Sequence, residues 1–314
     1  MNHELVIRLR AALGGAEGRL PEPVQKQLDV VQAAGATSPD DLVTLAEDEA
    51  RDEGVRVSAS LLLGQLGDPG AAPALLVCLK AQTPQVRRAS ALALGQVGYA
   101  AAAHRLATAL QTDQHPAVRE AAAFALGQMP GDVDITPLLR ALGAPGEVAR
   151  VRSQAAESLG DLALRGVRAP EMTEALLRAL EDPDAWVRHD SVVALGYLGD
   201  PTAVVSSIRL LASDSAPVVR EAAAGVLAWV GSAPVPADAK RRDAVTALVF
   251  ALRDAAPQVR ASAATSLGEL GAREALPDLQ NLAARDHAPV PEGGTVAAVA
   301  ERAIKRLEED RRND

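Results

Sequence analysis

Seven Val-Arg pairs punctuate this chain of 314 residues: Val55-Arg56, Val86-Arg87, Val118-Arg119, Val151-Arg152, Val187-Arg188, Val219-Arg220 and Val259-Arg260. Successive valines stand 31, 32, 33, 36, 32 and 40 residues apart. A recurring period of this size marks a stack of like units, because one unit cannot bury its own apolar face without a neighbour.

The residues around each pair keep register. Counting the valine as zero, position eight is always leucine: Leu63, Leu94, Leu126, Leu159, Leu195, Leu227 and Leu267. Position eleven is always apolar: Leu66, Val97, Met129, Leu162, Leu198, Val230 and Leu270. Small residues fill positions four and seven in most copies. Such spacing gives a helix with one apolar face. Proline two places before the valine (Pro84, Pro116, Pro217, Pro257) suits a first helical turn. Aspartate five places before it (Asp113, Asp182, Asp214, Asp254) lies near where a helix start favours an acid. Glycine near the end (Gly67, Gly98, Gly199, Gly271) suits a C-cap. Apolar stretches at 71–81, 173–182 and 244–254 supply a second helix, so each unit is an antiparallel helix pair.

Composition agrees. The chain is 48% hydrophobic but has only two Phe, two Trp and two Tyr, so its core rests on Ala, Leu and Val, and Ala and Leu favour helix. A net charge of −9 argues against an electrostatic grip on nucleic acid or an anionic membrane. Cys78 is the single cysteine, which points to a cytoplasmic setting. The amino-terminal stretch lacks a signal-peptide pattern, and no window is long and apolar enough for a membrane span.

The segments "HPAVREAAAFALGQM" and "DPDAWVRHDSVVALGYLGDPTA" resemble the HEAT-like repeats named after phycobilisome lyases, and the resemblance covers roughly 48–286. It implies an all-α fold, a right-handed α-solenoid (superhelix) of stacked antiparallel helix pairs. Residues 1–47 are expected to form a helical cap and 287–314 a capping helix, with an eighth repeat-like helix starting at Val296, all in one elongated domain. Stretches 163–171 and 231–244 read as insertions, with the basic triplet at 240–242 as a loop patch. In resembling repeats the arginine pairs with an acid near the start of its own or the next unit. An arginine repeated in every copy is therefore read as a stacking device rather than a phosphate grip.

Specificity should lie where the copies differ. Positions two, six and ten share one helix face, apart from positions eight and eleven. On that face Leu61, Leu92 and Phe124 form an apolar row flanked by Gln65, Gln96 and Gln128, with Arg88 and Glu120 beside it. Later copies place His189, Val193, Tyr197 and Trp229 there. Apolar and aromatic groups rimmed by polar ones point to a protein-binding groove.

Chemistry is harder to find. None of the five histidines pairs with another at metal-ligand spacing, and the His-Glu dipeptides that repeat hydroxylases use for iron are absent. Phosphate-loop, zinc-protease and nucleophile-elbow motifs are also missing. Cys78 sits on an apolar helix and reads as a small core hydrophobe. Glu157 and Asp161 lie one turn apart and read as a solvated acidic patch.

The expectation is a non-enzymatic scaffold or adaptor that binds a protein partner on its concave face, without cofactor or metal, as a monomer or weak homo-oligomer. One alternative is a bilin lyase or isomerase-like subunit, or a chaperone-like relative, with the Trp229 cluster receiving a tetrapyrrole. Another is a DNA-binding protein resembling alkylpurine glycosylases, with Trp186, Trp229 and Asp190 as material. The acidic groups Glu120, Glu157, Asp161, Glu221 and Glu269 argue against it.

Overall fold

A computed structural model describes residues 4–13, 20–231, 238–291 and 293–313. It carries eighteen α-helices and no named strand among them; Pro289 and Thr295 form an isolated bridge. The chain divides into two compact units, Met1–Leu162 and Ala163–Asp314.

The first unit begins with α1 (Glu4–Ala12), α2 (Glu22–Ala33) and α3 (Pro39–Glu47). Then α4 (Glu53–Leu66), α5 (Ala72–Cys78), α6 (Pro84–Val97), α7 (Ala103–Thr112), α8 (Pro116–Gln128), α9 (Thr136–Gly143) and α10 (Ala149–Leu164) follow. The Val-Arg helices α4, α6 and α8 lie side by side, and α3, α5 and α7 each pack on the helix that follows. The second unit holds α11 (Pro170–Ala179), α12 (Ala185–Leu198), α13 (Thr202–Ser213), α14 (Pro217–Gly231), α15 (Asp238–Ala251), α16 (Pro257–Glu269), α17 (Leu276–Arg285) and α18 (Val296–Asn313). There α12, α14, α16 and α18 make the row, with α11, α13, α15 and α17 in the layer behind.

Local chemistry sets the helix boundaries. Pro84, Pro116, Pro217 and Pro257 each open a helix. Gly67, Gly98, Gly199 and Gly271 close theirs at φ of 66°, 67°, 66° and 63°, a left-handed conformation that costs glycine nothing. The position-eight leucines are buried in every copy, each contributing about 1.5–3 kcal/mol of apolar transfer.

Position nine carries a contact absent from the sequence reading. It carries glycine at Gly64, Gly95, Gly127, Gly196 and Gly268, and each faces position seven of the next helix in the row, which for Gly268 is Ala303 of α18. A Cβ on Gly64 would stand 2.7 Å from the Ala93 Cα; on Gly95, 2.8 Å from the Ala125 Cα; on Gly127, 2.7 Å from the Ser158 Cβ. No methyl fits at those distances, so glycine lets neighbouring helices close fully. Where position seven is serine, the junction gains a hydrogen bond. Ser158 Oγ donates to the Ala123 carbonyl at 3.0 Å, and Ser266 Oγ donates to the Ala224 carbonyl at 2.9 Å.

Two sequence expectations change. The triplet Lys240, Arg241 and Arg242 is not a loop patch: α15 starts at Asp238 and includes it. Arg241 is tied down, at 3.1 Å from Glu274 and donating to the Leu270 and Gly271 carbonyls. Likewise α10 runs on to Leu164, two residues into the stretch read as an insertion. Residues 232–237 and the side chain of Val230 lie outside the described residues.

Candidate functional site

The repeated arginines form a ladder. Arg87 meets Asp113 with two bonds of 2.7 and 3.0 Å and donates to the Ala81 and Gln82 carbonyls. One repeat later, Arg119 meets Glu147 at 2.8 and 2.6 Å and donates to the Asp113 carbonyl at 2.7 Å. In the second unit Arg188, Arg220 and Arg260 grip Asp214, Asp254 and Asp286 in the same bidentate way. Each acid therefore belongs to the connection before the next helix of the row, α18 in the case of Asp286. Its oxygen also accepts a backbone N–H two residues on: His115 for Asp113, Ala216 for Asp214, Ala256 for Asp254 and Ala288 for Asp286. The acid thus folds the loop and receives the arginine, rather than capping the helix directly.

Electrostatics follow from this geometry. Burial pushes the carboxyls of Asp113, Asp214 and Asp254 up, but the facing guanidiniums and turn N–H groups outweigh it, and all three titrate below their ordinary value of 3.8. The hydrogen bond from Arg260 lowers Asp286 in the same direction. Arg56 departs from the ladder: it is buried and donates through Nε to the Ala46 carbonyl at 3.0 Å. Cys78 Sγ lies 3.2 Å from the same carbonyl, and burial pushes its thiol up, which makes it a core group rather than a reactive one.

The ladder turns its arginines into the stack and leaves the positions that vary at the surface. In the first unit Leu61, Leu92 and Phe124 are half-buried, neither packed away nor fully open. Beside them Gln96 and Gln128 are exposed and Gln65 is half-buried. Gln96 Oε1 lies over Gly64, occupying the space where a Cβ would stand. Gln128 Nε2 donates to Asp161 at 2.9 Å. Arg88 is exposed, while Glu120 is paired with Arg150 at 2.6 Å. Glu157 follows Phe124 at position six and accepts from Gln154 at 2.9 Å.

In the second unit the rings of Tyr197 and Trp229 stack with centroids 5.2 Å apart and planes 11° from parallel. Trp229 keeps 45% of its surface exposed. Val193 and His189 are half-buried. His189 Nδ1 lies 2.8 Å from Asp190, and its ring meets Trp186 edge-on at 5.3 Å. That edge contact was not foreseen, because Trp186 stands one place before the valine, off the positions used to define the face.

The described residues bring no three His, Cys, Asp or Glu side chains together in a metal-binding group. Open depressions of 630 and 490 Å³ lie at the turn ends, the first beside Arg87 and Asp113, the second beside Arg168 and Asp200. No helix among the described residues is long and apolar enough to cross a membrane.

Comparison with known proteins places this architecture. HEAT repeats are matched at residues 38–127, 77–160, 135–228 and 208–300. No curated protein matches the sequence. Among solved structures, yeast importin-β (Kap95p) is similar at 15% identity over 97% of this chain and 46% of its own, with a TM-score of 0.64. Another importin-β is similar at 16% identity over 90% of this chain and 42% of its own, with a TM-score of 0.59. The Escherichia coli protein YibA is similar at 18% identity over 93% and 98% of the two chains, with a TM-score of 0.51. The chain thus spans less than half the length of the importins, and these identities speak for the fold alone. With the matched repeats running through both units, the chain belongs to the HEAT-repeat family.

Proposed function

We propose that this protein is a binding scaffold that holds a protein partner on the surface formed by positions two, six and ten of its Val-Arg helices, and that it acts by binding rather than by turnover. One observation carries the reading: Leu61, Leu92 and Phe124 occupy one position in three successive helices and stay half-exposed, although leucines two positions on are buried. A repeat protein can bury any residue its stack needs, so an apolar row left at the surface favours a partner. The glutamines alongside supply hydrogen-bonding groups at the rim. Kap95p, an importin with this architecture, binds RanGDP, which is a precedent for protein binding by such a stack.

The experiment is affinity capture from the native extract, followed by titration of the recovered partner against purified protein. Phe124→Asp should abolish capture while the melting temperature holds. Equal capture by wild type and variant would remove this surface as the binding site.

A further inference from the structure

Away from the Val-Arg helices, the first unit has a second concave place, between α5 and α7. A depression of 160 Å³ there is lined by Leu76, Leu79 and Ala109 together with Lys80 and Arg105. Leu79 is buried and Leu76 and Ala109 are half-buried, so they form its floor, while Lys80 and Arg105 are exposed. Helix α7 turns Arg105, Thr108, Ala109 and Thr112 toward it, the spacing of one helix face. The depression of 630 Å³ beside Arg87 shares Lys80, Thr112 and Asp113 with it, so the two make one trough.

The trough has the opposite charge to the chain. Acids outnumber Lys and Arg by 41 to 32 in the sequence. Yet the trough is lined by three cations, Lys80, Arg87 and Arg105, against one acid, Asp113, a surplus of two positive charges. That acid is spent, because its oxygens receive Arg87 twice and the His115 N–H. Lys80 and Arg105 make no ion pair and no side-chain hydrogen bond among the described residues. Two like charges sharing one small depression repel each other, and a carboxylate set between them relieves that repulsion. His115 also lines the trough. Its Nδ1 accepts the Ala117 N–H at 3.3 Å, so the neutral ring carries its proton on Nε2 and adds a donor.

We propose that this trough docks an acidic segment of a protein partner, separately from the surface assigned above. One apolar side chain of the segment sits over Leu76, Leu79 and Ala109, and carboxylates beside it meet Lys80 and Arg105. The lining selects this occupant. An inorganic anion leaves the apolar floor uncovered. A wholly apolar segment removes water from two cations and gives them no counter-charge. A long polyanion such as nucleic acid is repelled by the net charge of −9, whereas a short segment brings only a few charges.

The test uses fluorescence anisotropy with the full chain and the labelled peptide Gly-Asp-Glu-Leu-Glu-Asp-Gly. One control replaces its acids with Asn and Gln, and another replaces its Leu with Ser. The probe should bind about tenfold more tightly than the uncharged control and more tightly than the Ser control, and added salt should weaken it. Lys80→Ala and Arg105→Ala should each weaken the probe about two- to fivefold, and the double variant about tenfold. Both residues are exposed, so these variants keep the fold. Arg285→Ala removes one exposed cation of the second unit and should leave binding unchanged. Equal binding of either control, an undiminished affinity in the double variant, an equal loss in Arg285→Ala, or no binding of the probe at millimolar concentration overturns the inference. If pyrophosphate binds in a manner that depends on Lys80 and Arg105 while the peptide does not bind, the trough takes a small anion and the protein segment falls.

Discussion

Gly95 of α6 faces Ala125 of α8 so closely that a Cβ on the glycine would lie 2.8 Å from the alanine Cα and 3.0 Å from its Cβ. Glycine inside a helix costs about 1 kcal/mol against alanine, and here that cost allows two helices to touch along their backbones.

The contact predicts opposite signs for the same substitution at two sites. Gly95→Ala should destabilise the protein by about 1–3 kcal/mol, because the added methyl forces α6 and α8 apart. Gly225→Ala, within α14 and with nothing in the 4 Å around its Cβ, should stabilise by up to about 1 kcal/mol. Urea denaturation of the two variants measures both. Stabilisation by Gly95→Ala would show that the helices are not so tightly closed.

Arg119 should be far more costly to lose than a surface arginine. It makes two bonds to Glu147 and further ones to the Asp113 and Gln114 carbonyls. Arg119→Met leaves these acceptors unmatched and should cost about 2–3 kcal/mol. Arg119→Lys should recover little of that, since an ammonium cannot meet a carboxylate and two carbonyls in one plane. Arg150→Ala breaks a more exposed pair with Glu120 and should cost less than about 1 kcal/mol. Equal losses at Arg119 and Arg150 would remove the ladder from the stacking energy.

Acid should melt the ladder. Asp113, Asp214, Asp254 and Asp286 all have folded-state values below the 3.8 of an ordinary aspartate. The unfolded chain therefore takes up protons first as the pH falls. The stability these groups contribute is complete above the unfolded value and drains away as the pH drops through 3.8 and on through the lower folded values. Melting temperature should stay level from neutral pH to about pH 5 and fall steeply below about pH 4. Asp113→Asn retains an oxygen for the His115 N–H but loses the charge facing Arg87, so it should flatten the acid limb. An unchanged limb would place the acid sensitivity elsewhere.

Much of this was legible in the sequence, because a repeat amplifies its own signal. Seven valines, seven leucines at position eight and four capping glycines fix the helices and their buried face without reference to any partner element. The face holding Leu61, Leu92, Phe124 and Gln96 also followed, since a 3.6-residue period separates it from the leucines. Position nine was missed because glycine in a helix reads as a weak point until a neighbouring backbone is seen to fill the space. The aspartates were placed near the helix starts, but that each would receive the preceding repeat's arginine needs two repeats in three dimensions. The basic triplet at 240–242 looked like a loop because Pro234 and Pro236 precede it; helix α15 begins beyond them.

Division of labour between repeated and varying positions is tested most directly by comparing Phe124→Asp with Arg119→Met, measuring thermal stability and partner capture on each. Phe124→Asp should melt within a few degrees of wild type and capture nothing. Arg119→Met should melt much earlier and still capture the partner at temperatures where it remains folded. A Phe124→Asp protein that unfolds outright, or an Arg119→Met protein of full stability without capture, would contradict that division.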